Sequence, residues 1–503
     1  MPGVDSLDAP GRARFAPASD AWNPHTPTLQ LLLGAGGIGV LLVAFQVLQH
    51  PIWAGQPSGP VPTPGPDLAS ANFGWLGVAL FVFLVVGAAL PFRPYHLAQR
   101  VTRQINARLL LVLTVVLAVV GSLIYPSNGS DLFDYAGFER MWVVYGDNPL
   151  FALPINHPTD WATPLVWFPD RTPAYGPLWA ILTWPLVRLA GDSPTAIVLG
   201  YKLLSIAAFA ACCWLIWRIV EPARRQQSLL LFAWSPLVLV EILGKVHNDI
   251  LPALGMLAAI WLCGHPAARR TSLSFIAAGA LVKVTSLTAA PPILRHLWQR
   301  HGWRAVVPGL ALAGLLAAAC YAPFWQGPQT LASIWHQTSR QSWSLSSVLS
   351  VAAATWLPGG PYDLAIRGAL ALACVAVGGW LVLRAPVRTT SEIAAVGGWL
   401  TLAAVLLLTG AVSGQYLVPA VALAALSNDT ILRQVVFWLS LGALATYNID
   451  VLALTFGRAW LSSSSYQVLG TLTLLGPAAA MLVARRIETA GTRLARRTTA
   501  AAL

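Results

Sequence analysis

Apolar runs long enough to cross a lipid bilayer recur along this 503-residue chain, and its charges gather in the breaks between them. A membrane-crossing helix takes about 20 consecutive apolar residues. Such runs lie at roughly 28–49, 74–91, 108–125, 194–217, 228–244, 249–264, 305–321, 364–383, 394–411, 414–427, 432–449 and 465–484. Hydrophobic residues make up 56% of the chain and charged residues 10%, whereas soluble domains are about 25% charged. That balance excludes a water-soluble enzyme, a disordered protein and a nucleic-acid binder, despite a net charge of +12. The expected fold is an all-α polytopic membrane protein.

Arginine sets the expected orientation, since positive charge collects on the cytoplasmic side. Arg93, Arg100, Arg103 and Arg108 mark the second connection as cytoplasmic. Alternation then places Arg218, Arg224, Arg225, Arg269, Arg270, Arg384, Arg388, Arg433 and the tail from Arg485 on the same side. Two apolar stretches fit only if they do not cross. Residues 177–190 are expected as an interfacial helix, and 272–294 as a re-entrant pair of half-helices bent around Lys283. The result is twelve crossings with both termini cytoplasmic, in a bacterial plasma membrane; if 272–294 crosses, there are thirteen. Residues 1–27 read as a disordered cytoplasmic leader, 28–486 as the membrane domain and 487–503 as a basic cytoplasmic tail.

On the opposite side lies one long segment, 126–193, with seven acidic residues against three arginines. A second outer loop, about 322–345, carries Trp325, Trp335, His336, Arg340 and Trp343. No Gly-rich phosphate loop followed by Lys-Ser/Thr is present, and no inverted repeat of the secondary-transporter kind is evident. The five cysteines all sit in apolar runs, a pattern of buried thiols rather than of a disulfide framework.

Three groups of residues can carry chemistry. Asp131 and Asp134, in SDLFDYAGFERMWVVYGDNPL (130–150), are three apart and share a helical face at the outer membrane boundary. Partial burial there is expected to raise a carboxylate's basicity, which suits a general base. Equally, the pair reads as a helix-end element, with Asp131 accepting backbone bonds. The second group is EILGKVHND, Glu241 to Asp249, where ionisable residues interrupt an apolar hairpin. Asn248 and Asp249 there also suit helix capping. His247 and Asp249, joined by Asp131 or Asp134, would be the ligands of a divalent ion such as Mg or Mn, though one histidine is a sparse set. No cofactor is otherwise indicated. The third group is the cations Lys202, Lys245, Lys283 and Arg340, candidates to hold a phosphate or, for Lys202 and Lys283, to snorkel or pair. Gln415 and Tyr416 open the 414–427 span on the outer side.

The stretch 130–150 resembles the Asp-aromatic-x-x-Tyr turn that marks the GT-C superfamily of membrane glycosyltransferases. Tyr175-Gly176-Pro177-Leu178 resembles the family's next element, which introduces a juxtamembrane helix. WSPLVLVEILGKVHND and ALVKVTSLTAAPPIL are similar to segments of bacterial, including actinobacterial, polyprenyl-phosphate-mannose-dependent α-1,6-mannosyltransferases. The similarity covers most of 108–295; Leu150 departs from it, standing where an aromatic commonly follows the proline. The resemblance implies a GT-C-like fold of 12–13 membrane helices with juxtamembrane helices in the first large extracytoplasmic loop. It implies an inverting transfer of mannose from a polyprenyl-phosphate donor to a glycan or lipoglycan acceptor, outside the cytoplasm. Asp131 matches the family's catalytic Asp. Asp134, Tyr135, Asn148, Tyr175, Gln415 and Tyr416 fall on the acceptor or supporting side, and His247, Asn248 and Asp249 at the cavity mouth. A transporter or flippase of lipid-linked sugars is the alternative; turnover by detergent-purified protein separates the two.

Overall fold

The computed structural model describes residues 32–40, 42, 106–124, 126, 131–331, 343–356, 362–455 and 463–501, and its regular elements are helices. Among them, six are long and apolar enough to cross a membrane: Pro194–Ile219, Trp303–Phe324, Tyr362–Arg384, Thr390–Leu407, Thr430–Tyr447 and Ser464–Thr489. A seventh forms if Pro222–Ala233 and Pro236–Gly244, bent by 47°, count as one span. The Tyr362–Arg384 helix turns Leu372, Val375 and Leu383 outward, each more than 70% exposed. A row of large apolar side chains left this exposed suits a hydrocarbon surrounding.

The helices sit where the apolar runs lie, but several are shorter than expected. Ala107–Ser122 and Ile250–Cys263 have 16 and 14 residues. A 14-residue helix is about 21 Å long, short of a hydrocarbon core of about 30 Å. Two further runs are interrupted locally. Pro236 follows Ser235 at the bend of the 228–244 run, and a 3-10 turn, Gly414–Leu417, precedes Val418–Leu426. The expected span 74–91 lies outside the described residues, as do most of 28–49, the leader 1–27 and the last two residues of the tail.

Residues 177–190 form one helix, Pro177–Ala190, too short to cross. The 272–294 run breaks where its lysine falls. Ser272–Ala280 ends, Lys283 is extended (φ −155°, ψ 130°), and a 3-10 turn Val284–Ala289 leads into Ala290–His301. A helix at Leu345–Trp356 was not anticipated from the sequence.

The main core is largely aliphatic and runs through the central helices, with Leu230, Leu237 and Val240 fully buried beside Phe232 and Trp234. A smaller aromatic core lies beside it: Tyr135, Tyr175, Trp179 and Tyr201 pack with Val246 and Val282. The ring of Tyr135 lies 4.8 Å from that of Tyr175 and 4.7 Å from that of Trp179, both edge-on, a favourable aromatic geometry. This second core brings the 126–193 segment against the two breaks at Val246 and Lys283.

Candidate active site

Asp131 occupies the N-cap position of the Leu132–Tyr145 helix, yet its side chain makes no capping hydrogen bond. The helix-end reading therefore does not describe this carboxylate. Its Oδ2 instead accepts a hydrogen bond from the Tyr175 hydroxyl at 3.1 Å and lies 3.3 Å from His247 Nδ1. Oδ1 takes no hydrogen bond among the described residues. The Asp131 side chain is 26% exposed, whereas those of His247 and Glu241 are fully buried.

His247 reaches Asp131 because the backbone before it is irregular. Leu239–Gly244 is a π-helical turn, a rare element that concentrates at functional sites. Val246 follows with φ +65°, a left-handed conformation that costs a β-branched residue energy and needs surrounding structure to hold it. The turn closes when the His247 amide donates to the Glu241 carbonyl at 2.9 Å. It also brings His247 Nε2 to 3.3 Å from Glu241 Oε2. The imidazole thus stands between two carboxylates.

Two residues on, Asp249 goes elsewhere. Its Oδ2 accepts from Lys283 Nζ at 2.7 Å, and Lys283 Nζ lies 4.4 Å from the centre of the Tyr416 ring. The lysine is delivered by the break in the 272–294 run, and that break is docked onto the first segment. The Gly176 amide donates to Val282 O at 3.1 Å and the Leu178 amide to Leu281 O at 3.2 Å. A Cβ at Gly176 would lie 2.2 Å from Leu281 O, so only glycine permits the approach.

The structure brings together Asp131, Tyr175, His247, Asp249, Lys283 and Tyr416. Tyr135 joins them through its hydroxyl, which accepts from the Asn248 amide at 3.0 Å. The Asn248 side chain is buried with no hydrogen-bond partner among the described residues, and neither it nor Asp249 caps the next helix by its side chain. Asp134 Oδ1 accepts from the Trp167 amide at 2.7 Å and ties down the following loop. Asn148 Nδ2 donates to Phe324 O at 2.8 Å, joining the first segment to the 322–331 stretch. Gln415 Oε1 accepts from its neighbour Ser413. Lys245 is buried with Nζ 3.2 Å from the centre of the Tyr447 ring. Arg340 lies outside the described residues.

Three expectations are corrected. Lys202 Nζ donates to Ile124 O, Leu243 O and Gly244 O at 2.7, 2.6 and 2.7 Å. All three of its donors are spent, and they bind carbonyls at the C-terminal ends of two helical segments, where a cation is favoured. Lys202 is a staple, with no donor left for a phosphate. His247 and Asp249 face different partners, and among the described residues no group of three His, Cys, Asp or Glu is arranged to hold a metal ion. Asp131 is less basic than expected. Burial raises its pKa, but His247 through charge and contact, then the charge of Lys283 and the Tyr175 hydroxyl, bring it down to about 2.

Gly176 was missed as a site residue, and Glu241 was singled out only as part of the second group, with no role of its own. Glu241 carried a readable signal, a lone carboxylate inside an apolar run. Gly414 matters for the same reason: a Cβ there would lie 2.9 Å from Glu241 Oε1.

Residues 28–299 match the model of a family described as alpha-(1->6)-mannopyranosyltransferase, N-terminal domain. Similar proteins include alpha-(1->6)-mannopyranosyltransferase A of Corynebacterium glutamicum, 26% identical over 194 residues, or 36% of this chain and 38% of that one. The protein of the same name from Mycobacterium tuberculosis is 28% identical over 184 residues, 34% of each chain. The matched part of the chain thus spans little more than a third of either relative. Asp131, Tyr175, Glu241, His247, Asp249 and Lys283 all fall within the family match.

Proposed function

Because the chain belongs to the alpha-(1->6)-mannopyranosyltransferase family, we propose that it transfers mannose to a glycan or lipoglycan acceptor, forming α-1,6 linkages. The donor in this reading is a β-mannosyl phosphoryl polyprenol, and the site opens on the extracytoplasmic side. A lipid donor is favoured by topology. Sugar nucleotides are cytoplasmic, whereas the acidic 126–193 segment is assigned outside by the arginine pattern, and a lipid phosphate arrives through the bilayer.

The observation that carries the reading is the Asp131 carboxylate. Its Oδ2 is held by Tyr175 and faces His247, which leaves Oδ1 to accept from an acceptor hydroxyl. As that oxygen attacks the anomeric carbon, its proton passes to Oδ1. The bond from carbon to phosphate oxygen breaks, the electron pair stays on the departing polyprenyl phosphate, and configuration inverts. A carboxylate of low pKa serves here because the hydroxyl proton becomes acidic as the new bond forms. The phosphate is already a good leaving group and needs cationic stabilisation rather than a strong acid. Lys283, Lys245 and Arg340 are the residues to supply it.

The test is transfer by detergent-purified protein from a synthetic short-chain mannosyl phosphoryl polyprenol to an α-mannoside. Formation of an α-1,6-linked product without a membrane gradient is the expected result. Donor translocation in vesicles with no transfer would contradict the reading and favour a flippase.

A further inference from the structure

The mechanism above leaves two buried groups unused, Glu241 and the far side of His247. Glu241 is fully buried at the centre of the helical core, where an idle carboxylate is costly. His247 is likewise fully buried, and each of its ring nitrogens lies 3.3 Å from a carboxylate oxygen, Asp131 Oδ2 on one side and Glu241 Oε2 on the other. Neither contact is aligned as a hydrogen bond; contacts of catalytic groups commonly tighten when substrate arrives. The backbone is bent at some cost to make this arrangement, through the π-helical turn and the left-handed Val246. Gly414 has no side chain at the point where one would strike Glu241.

We propose that Glu241 and His247 are positioning residues for Asp131, a buried Glu–His–Asp line that holds Oδ2 and turns Oδ1 toward the acceptor hydroxyl. The proposal rests on Asp131 being the base. Glu241 fixes the imidazole ring, and the imidazole with Tyr175 fixes the carboxylate. The proton still moves from the acceptor hydroxyl to Asp131 Oδ1, and no proton need leave along the line during bond formation. The same set explains why the sequence EILGKVH places a carboxylate and a histidine six residues apart. A π-helical turn followed by a left-handed residue returns His247 to the face of Glu241.

Three variants test it, read by kcat and donor KM separately. Glu241→Gln keeps the shape and replaces the carboxyl by an amide; kcat should fall by about 10–100-fold, the scale found for carboxylates that orient a metal-bound histidine, with donor KM within about twofold. His247→Asn places an amide where Nδ1 stood and keeps a donor for Asp131, whereas His247→Gln reaches toward Glu241 instead. The Asn variant should therefore retain more turnover than the Gln variant. A histidine that only fills space gives the opposite order, because Gln is nearer to it in volume. Wild-type kcat in Glu241→Gln, or His247→Gln outperforming His247→Asn, overturns the proposal. If the His247 variants fail to accumulate, Glu241→Gln decides alone. Full activity in Asp131→Asn would remove the base itself; an inactive Asp131→Asn beside a fully active Glu241→Gln would remove only the positioning line.

Discussion

The Gly176 amide donates to the Val282 carbonyl at 3.1 Å, joining the acidic segment that holds Asp131 and Tyr175 to the helix break that holds Lys283. This contact places the carboxylate and the cation in one site, although they are far apart in the chain.

Gly176→Ala tests that junction. The new Cβ would meet a backbone oxygen at 2.2 Å, and a backbone carbonyl has little room to move. The substitution should cost about 1–3 kcal/mol and lower turnover as Tyr175 and Lys283 separate. Thermal melting of the purified variant, together with its kcat, measures both effects.

Arg140 anchors the same segment. Its guanidinium donates to both carboxylate oxygens of Asp160 at 2.8–3.0 Å and to Asp192 at 2.8 Å. The side chains of Arg140 and Asp160 are 4% and 0% exposed, and that of Asp192 is 84% exposed. Arg140→Gln strands a buried charge and should cost about 3–5 kcal/mol, while Asp192→Asn should cost less than about 1 kcal/mol. Denaturation of the two variants side by side checks the ratio.

Glu139 gives stability a pH dependence. It is buried, with Oε2 accepting from the Thr183 hydroxyl at 3.0 Å and Oε1 without a partner among the described residues. Burial pushes its pKa up from 4.5 to about 8, against the opposing effect of the Thr183 hydrogen bond. Between these values the folded state holds a proton that the unfolded state releases. Stability is therefore complete below about pH 4.5 and declines as pH rises toward 8. Glu139→Gln does not titrate, so its melting temperature should exceed the wild type's increasingly from pH 5 to pH 8. A constant difference across that range would contradict the assignment.

Much of this was legible beforehand, and the failures have physical causes. The apolar runs gave the helix positions, and Lys283 in mid-run marked the break at Leu281–Lys283. EILGKVHND stood out because ionisable residues inside apolar helices are costly. Pairing His247 with Asp249 failed because nearness in sequence says nothing of side-chain direction after a left-handed residue such as Val246. Of the two readings of Lys202 only pairing survives, and its partners were hidden because no sequence shows which carbonyls the end of a π-helical turn leaves open. The acidity of Asp131 depends on His247 and Lys283 arriving from distant segments, so burial alone predicted the wrong direction.

Lys202→Met separates staple from phosphate ligand. The substitution leaves the carbonyls of Ile124, Leu243 and Gly244 without their shared donor. Leaving buried polar groups unpaired costs about 1–3 kcal/mol each. Melting temperature should drop, with donor KM in the surviving folded protein nearly unchanged. A large rise in donor KM at unchanged stability would return Lys202 to the phosphate.

The turnover of Asp131→Asn is the most direct test of the account. Asparagine keeps the size of the side chain, and no helix cap is lost, since the carboxylate makes none. The variant should fold, bind donor with wild-type affinity and lose about 10²–10⁴-fold in kcat, the contribution of a general base. Near-wild-type kcat in a folded, donor-binding Asp131→Asn protein would contradict it.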